Sequence, residues 1–290
     1  MSFQGAANQP GGELASPAGD GPPLFRVSQS PGKGMGLFAT RDIKAGTVVL
    51  REKFTLSVPG KNNGGYSRLD LDAIVKLTLQ YNNLSQDTRA ELLQLHATPM
   101  PHRDADVRNL ITAADRHAGV PPMGERAVET CQRIVGVWLT NGFLTSDERT
   151  GTCLFLKASR INHSCVANTA RYFEKNDPRY ITIRATRDIK ADEEITLTYA
   201  DALLPVAERQ EKTRRVWHFT CACPACDPND PAIDSAAHER DIRDLQSLEN
   251  DPTPGSEASR EELSAALERS SRRIELHQKL LSSPAQLATE

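Results

Sequence analysis

The chain has 290 residues, a formal net charge of -3, 25% charged residues and 38% from the hydrophobic set, enough to bury one or two cores. The slight acidic balance, with no dense Lys/Arg run, argues against DNA or RNA as a primary ligand, and no apolar stretch approaches the ~20 residues that span a bilayer. Six cysteines, behind an N-terminus that has no secretory pattern, fit metal ligands or buried thiols inside the cell better than disulfides.

Residues 1–24 are rich in Gly, Pro, Ala and Ser and read as a disordered lead. "GKGMG", Gly32 to Gly36, is a glycine turn that opens a strand rather than a helix, so as a nucleotide motif it is poor. Two strands are predicted over residues 35–58, where Val48 and Leu50, then Phe54, Leu56 and Val58, alternate at strand spacing. "PGKNNGG", Pro59 to Gly65, ends the pattern. A helical block follows. Leu71, Ile74, Val75 and Leu79 fall at helical intervals, and Val128, Cys131, Val135 and Trp138 form a second stripe. Cys131 reads as a small buried residue on that stripe.

Strand character returns after "LTNGF", with "RYITIRAT" and "EEITLTYA" on either side of "RDIKAD". A helix over "VAERQEKTRRVWHF" leads into "CACPAC". Two further helices are predicted around His238 to Glu249 and Ser259 to Leu281, split by "DPTPG". Ser259 and Glu262 form a capping box, and Leu263, Leu267, Ile274, His277 and Leu281 line one face.

The heptapeptide "ATRDIKA" occurs twice, at residues 39–45 and 185–191. The flanks differ, so it does not mark a duplicated domain. Each copy reads as a strand end, a polar turn and a return strand, with Gly46 or Asp192 at the turn. Ile43 and Ile189 are expected inward, and Arg41, Lys44, Arg187 and Lys190 solvated.

Three thiols within six residues, Cys221, Cys223 and Cys226, suit one tetrahedral zinc that takes a fourth ligand from elsewhere. A redox Cys-x-x-Cys and a nucleic-acid zinc knuckle are the alternatives. The first usually sits at the opening of a helix after a strand, and the second needs surrounding basic and aromatic residues. "RINHSC" carries Cys165, a candidate fourth ligand more than fifty residues upstream. Taken singly, Asn162 and His163 read as turn or hydrogen-bonded residues, Tyr199 as a core aromatic, and Glu193 and Glu194 as solvated charge near a turn.

Taken together, "GKGMGLFATRDIKAG", "NHSC", "DEEITLTY" and "CACPAC" resemble the SET-domain protein lysine methyltransferases, over roughly residues 26–60 and 138–227. The layout is similar to the SMYD-like group and to fungal SET proteins that lack a MYND module. There is no MYND cysteine cluster in the middle block, the tail is short, and Ala167 stands where the family usually has Pro.

The resemblance implies an α+β fold of small sheets. It divides the chain into the lead (1–24), the SET N-terminal part (25–60), a helical insertion (61–137), the SET catalytic part (138–204), a post-SET zinc segment (205–230) and a helical tail (231–290). It implies S-adenosylmethionine as cofactor, held by Gly34, Met35, Gly36, Asn141, Asn162, His163 and Phe219. Tyr199, Phe143 and Trp217 would form the methyl-transfer centre. Cys165, Cys221, Cys223 and Cys226 would hold one structural zinc. The implied partner is a protein substrate presenting a lysine, histones among the candidates, for a monomer in the nucleus or cytoplasm. A non-catalytic SET-type interaction module is the alternative function.

Overall fold

The structure, a computed structural model, describes residues 22–60, 70–145, 147, 149–250, 254, 255 and 257–281. The expected disordered lead up to residue 21, most of the "PGKNNGG" turn and most of "DPTPG" lie outside them. Ten strands and seven α-helices occur among the described residues. The first part of the chain gives β1 (Phe25–Ser30), β2 (Gly34–Ala39), β3 (Val48–Lys53) and β4 (Leu56–Val58). Helices α1 (Leu71–Asn82), α2 (Gln86–Leu93), α3 (Pro101–Ala118) and α4 (Glu125–Asn141) follow. Then come β5 (Phe143–Leu144), β6 (Thr152–Leu154), β7 (Asn162–His163), β8 (Thr169–Phe173), β9 (Tyr180–Ala185) and β10 (Glu194–Leu197). The chain closes with α5 (Val206–Trp217), α6 (Ser235–Glu249) and α7 (Arg260–Leu281). Small sheets and separate helical segments make the class α+β.

The chain forms two units and passes repeatedly between them. The first holds residues up to 27, 48–161 and 171–184. Its core joins β4, β6 and helices α1–α4 through Leu56, Ile74, Leu77, Val107, Ile134, Trp138 and Leu154. The Trp138 indole N–H donates to the Thr152 carbonyl at 3.2 Å, so the largest core side chain is also polar-satisfied. The predicted α4 stripe of Val128, Cys131, Val135 and Trp138 is buried.

The predicted α1 stripe is not. Ala73, Ile74, Leu77 and Tyr81 are buried, while Val75 and Leu79 are exposed. The helix carries apolar residues on two faces, and packing against β4 and α4 selects one. Asp70 caps α1 by accepting from the Ala73 N–H at 2.9 Å.

The second unit holds residues 28–47, 162–170 and 185–290. Its strands belong to a sheet of order β1-β2-β10-β7, of which β2, β10, β7 and residues 28–30 of β1 lie in this unit. The central strand β10 is antiparallel to β2, with Glu194 opposite Phe38 and Ile195 opposite Leu37. On its other edge it is parallel to β7, with Thr196 opposite Asn162 and Leu197 opposite His163. One short strand thus brings the glycine turn and "NHSC" to its two sides and continues into Tyr199. Strand β1 was absent from the sequence reading: "FRVSQS" is an edge strand of half-exposed residues and carries little periodic signal.

In the tail, α6 and α7 pair through Ile242, Leu245, Leu276 and Leu280. The capping box forms, with Ser259 N–H donating to Glu262 Oε2 at 2.7 Å and Glu262 N–H to Ser259 Oγ at 3.2 Å. The expected apolar face of α7 is displaced: Leu263, Leu267 and Ile274 are exposed. The helix buries its C-terminal half, Leu276 and Leu280, instead. No described helix is long and apolar enough to cross a membrane.

Candidate functional site

Every site residue predicted from the sequence, apart from Asn141 and Phe143, lies in the second unit. The glycine turn comes first. Gly34 has φ of 78°, a left-handed conformation in which an L side chain is strained. Gly36 is glycine for a different reason. A Cβ there would lie 2.6 Å from Glu194 Oε1 and 2.9 Å from Asn162 Nδ2. Those two atoms are hydrogen bonded to each other at 2.8 Å, and Asn162 Nδ2 also reaches the Met35 carbonyl at 3.4 Å. The backbone of the turn therefore lies directly on the Asn162 amide. Met35 itself is exposed.

The two acids at the head of β10 are not the solvated charges the sequence suggested. Glu194 takes Lys33 Nζ at 2.9 Å as well as the Asn162 amide. Glu193 accepts from Asn168 Nδ2 at 3.0 Å and pairs with Arg187 at 2.6 Å. Burial opposes the charge on both, and hydrogen bonds outweigh it, so both carboxyls sit below their ordinary range. Arg187 is accordingly a mostly buried partner rather than a solvated cation, whereas Lys44 and Lys190 are exposed as expected.

The cysteine prediction closes on itself. Cys165, Cys221, Cys223 and Cys226 are all buried, and their sulfurs lie within 4.8 Å of one another. Cys165 Sγ is 3.9 Å from Cys221 Sγ and 3.5 Å from Cys226 Sγ. A zinc tetrahedron with Zn–S bonds of ~2.3 Å has sulfur–sulfur edges of about 3.8 Å, so the four donors fit that ion in number, softness and spacing. Arg209 is buried beside them. Its Nη2 donates to the Ala225 carbonyl at 3.1 Å and to Cys226 Sγ at 3.6 Å, and its Nη1 to the Leu204 carbonyl. A buried guanidinium offsets the negative charge that four thiolates leave around one divalent ion.

His163 connects this centre to Tyr199. The Tyr199 N–H donates to His163 Nδ1 at 3.0 Å, which makes Nδ1 the acceptor and puts the proton of the neutral ring on Nε2. Nε2 lies 3.3 Å from Cys165 Sγ and donates to it. Burial pushes the imidazole down to about 4, consistent with a neutral ring.

The aromatic residues gather on the same side. Ring centroids are 5.3 Å apart for His163 and Tyr199, 5.4 Å for Tyr199 and Trp217, and 5.8 Å for His163 and Phe219. Trp217 ends α5, and His218 turns the chain with φ of 60°, a left-handed cap that lets Phe219 return to the ring cluster. All three aromatic residues are half-buried, so their faces form a wall.

Asn141 and Phe143 lie in the first unit. The Asn141 amide donates to the His96 and Val137 carbonyls at 2.7 and 2.8 Å, within the last turn of α4, which runs past the expected end near Trp138. Phe143 packs edge-on against Phe155 at 5.6 Å, with the Arg171 guanidinium 5.7 Å above its ring. Sequence reasoning missed Glu194, Arg209 and Asn168. The last is buried, and its side chain bonds Thr196 N–H at 2.8 Å and the Glu194 carbonyl at 2.8 Å. Its place next to "NHSC" was the only available signal.

A split α+β fold, with a glycine turn and "NHSC" on either side of one strand and a four-cysteine centre that includes the cysteine of "NHSC", is the arrangement of a SET-type protein. The sequence profile of the SET domain matches residues 34–200, more than half of the chain, and the chain belongs to the SET-domain family. Its arrangement is SMYD-like. A protein from Gibberella zeae named methyltransferase is 29% identical over 84% of this chain and 36% of its own length. SmydA-8 isoform A of Drosophila melanogaster is 25% identical over 71% of this chain and 57% of its own. Human N-lysine methyltransferase SMYD2 is 34% identical over 31% of this chain and 21% of its own length. The chain thus spans between a fifth and somewhat over half of these relatives. Among solved structures, Rubisco LSMT bound to AdoMet shares 14% identity at a TM-score of 0.41, over 88% of this chain and 71% of the other.

Proposed function

We propose that the protein is a protein-lysine N-methyltransferase that uses S-adenosylmethionine. The observation that carries this reading is the meeting of Gly36, Asn162, His163 and Tyr199 around β10, with Trp217 and Phe219 against the same rings. Membership of the SET-domain family and relatives named as lysine methyltransferases support it.

When bound, the cofactor supplies a methyl group on a sulfonium, ready for in-line displacement by an amine. What remains for the protein is to bind, align and desolvate. The glycine turn and the Asn162 amide offer backbone and side-chain polar groups to the cofactor, and Phe219 offers an aromatic face. A free lysine has a pKa near 10.4, so presenting its neutral amine at pH 7 costs about 4.6 kcal/mol. The Tyr199 and Trp217 rings desolvate an ammonium and favour its neutral form, after holding the cation on their faces. The Tyr199 hydroxyl orients the amine. We assign Phe143 to the lysine channel and Asn141 to the cofactor only on the resemblance, since their contacts lie within the first unit.

The zinc, held by Cys165, Cys221, Cys223 and Cys226, is structural in this reading, because four thiolates leave no open position. It folds the short segment that carries Trp217 and Phe219. Six cysteines outside any disulfide, four of them zinc ligands in this reading, suit a reducing, intracellular setting, in the nucleus or cytoplasm, and the chain is taken to act as a monomer. Histones are the first substrates to assay, since relatives named SET5 are histone-lysine N-methyltransferases. Calorimetry of the zinc-loaded protein with S-adenosylmethionine tests the reading: micromolar binding is expected, and its absence would leave a non-catalytic interaction module.

A further inference from the structure

Resting on that reading of the site, we infer that Glu194 is a positioning residue for cofactor binding, and that it acts through Asn162 and, with Lys33, through the glycine turn.

The two oxygens of one carboxylate serve two different elements. Oε1 accepts from Asn162 Nδ2 at 2.8 Å, and Oε2 accepts from Lys33 Nζ at 2.9 Å. Lys33 is the residue before Gly34, so the ion pair ties the turn that precedes β2 to the head of β10. Asn162 is on the opposite edge of β10, paired with Thr196. Glu194 therefore bridges the two strands that flank its own.

The bridge also decides how the Asn162 amide presents itself. Both hydrogens of Nδ2 are directed, one to Glu194 at 2.8 Å and one towards the Met35 carbonyl at 3.4 Å. A flipped amide would set Oδ1 against two acceptors and lose both bonds. Oδ1 is then the atom Asn162 offers to a ligand, as an acceptor for a ligand N–H or O–H. The fit is tight enough to dictate Gly36, since a Cβ there would overlap both bonded atoms. A solvated glutamate would impose no such constraint. The carboxylate stays charged because hydrogen bonds from Asn162, Lys33 and Ser30 outweigh its burial.

A merely structural ion pair and a positioning residue differ in what they move. Glu194→Ala, Glu194→Gln and Lys33→Met are titrated with S-adenosylmethionine by calorimetry alongside the unaltered chain and Lys44→Met, which removes an exposed ion pair of the same kind from the repeat. We expect Glu194→Ala to raise Kd tenfold or more, the loss of about one charge-assisted hydrogen bond. Glu194→Gln, which keeps an oxygen for Asn162, should restore most of it. Lys33→Met should weaken binding about threefold, and Lys44→Met should leave it unchanged. Under turnover, the Glu194→Ala effect should appear in KM for the cofactor more than in kcat. If the unaltered chain binds and folded Glu194→Ala binds equally well, or the defect in Glu194→Ala is one of melting temperature alone, the inference is overturned. If Glu194→Ala does not fold, Glu194→Gln and Lys33→Met decide it: both break the ion pair to Lys33 while leaving an acceptor for Asn162, so each should weaken binding about threefold, and unaltered affinity in both would overturn the inference. No binding by the unaltered chain would overturn the cofactor reading itself.

Discussion

Ile43 and Ile189 exchange both of their backbone hydrogen bonds, each N–H donating to the other's carbonyl at 2.8 Å. They are the same position of the repeated heptapeptide, and the correspondence extends through both copies. Asp42 Oδ1 accepts from the Ala191 N–H and Asp188 Oδ1 from the Ala45 N–H, each at 2.9 Å. Lys44 pairs with Asp188, and Lys190 with Asp42. Gly46 N–H donates to the Ala185 carbonyl and Asp192 N–H to the Ala39 carbonyl. Even the left-handed residues correspond, with Gly46 at φ of 82° and Asp192 at 64°. The identical sequences are two halves of one local two-fold arrangement: each supplies the acceptor that the other's turn needs.

Because the two isoleucines are equivalent and fully buried, Ile43→Ala and Ile189→Ala should destabilise the protein by similar amounts, about 2–4 kcal/mol each. The double variant should lose less than the sum, since the residues touch. Denaturant unfolding of the four chains measures this. Strictly additive losses would mean that the two copies are independent turns.

Tyr199→Phe keeps the ring that packs on His163 and Trp217 and the backbone N–H that donates to His163. Thermal unfolding should therefore change little. Turnover should fall on the order of a hundredfold, the scale expected when a reacting group is no longer aligned, while calorimetric affinity for S-adenosylmethionine is retained. A variant with normal turnover would remove Tyr199 from the methyl-transfer centre.

Cys165→Ser should lower bound zinc well below one ion per chain after dialysis against a chelator, although it lies more than fifty residues from Cys221. The same substitution weakens the Nε2–H contact that ties His163 to the cysteine centre. Loss of zinc should accordingly be felt at Tyr199 and Trp217, and the tryptophan emission should shift on chelation in the parent chain. Unchanged zinc content in Cys165→Ser would refute the four-cysteine assignment.

Gly36→Ala should force Glu194 and Asn162 apart, because the added methyl meets both. The atoms it meets are side-chain ends, which can move, so folding should survive with a modest drop in melting temperature. Cofactor affinity, read by calorimetry, should fall more than tenfold. Equal affinity would show that the turn does not depend on this packing.

What was legible in the sequence was the chemistry carried by residue type. Twelve of the fourteen predicted site residues lie in one unit, most of them marked by thiol spacing, the glycine turn, the Asn-His pair and the tyrosine after a strand, whereas the pairing of β10 with β2 and β7 that assembles them was not legible. Helix faces were less legible. In α1 and α7 the apolar residues fall on more than one face, and only the neighbour they pack against chooses, as Val75, Leu79, Leu263 and Leu267 illustrate. Glu194 was misread for a related reason: its partner Lys33 is 161 residues away, and a carboxylate beside a turn looks solvated until that partner is known. Arg187, read as a surface cation, is similarly claimed by Glu193.

The most direct measurement is a methyl-transfer assay with labelled S-adenosylmethionine on histones and on whole-cell lysate, with the zinc-loaded chain compared with Tyr199→Phe and the products mapped by mass spectrometry. The account predicts label on lysine side chains of protein, dependent on Tyr199. Absence of lysine methylation by a chain that carries its zinc and binds the cofactor, or equal labelling by Tyr199→Phe, would contradict it.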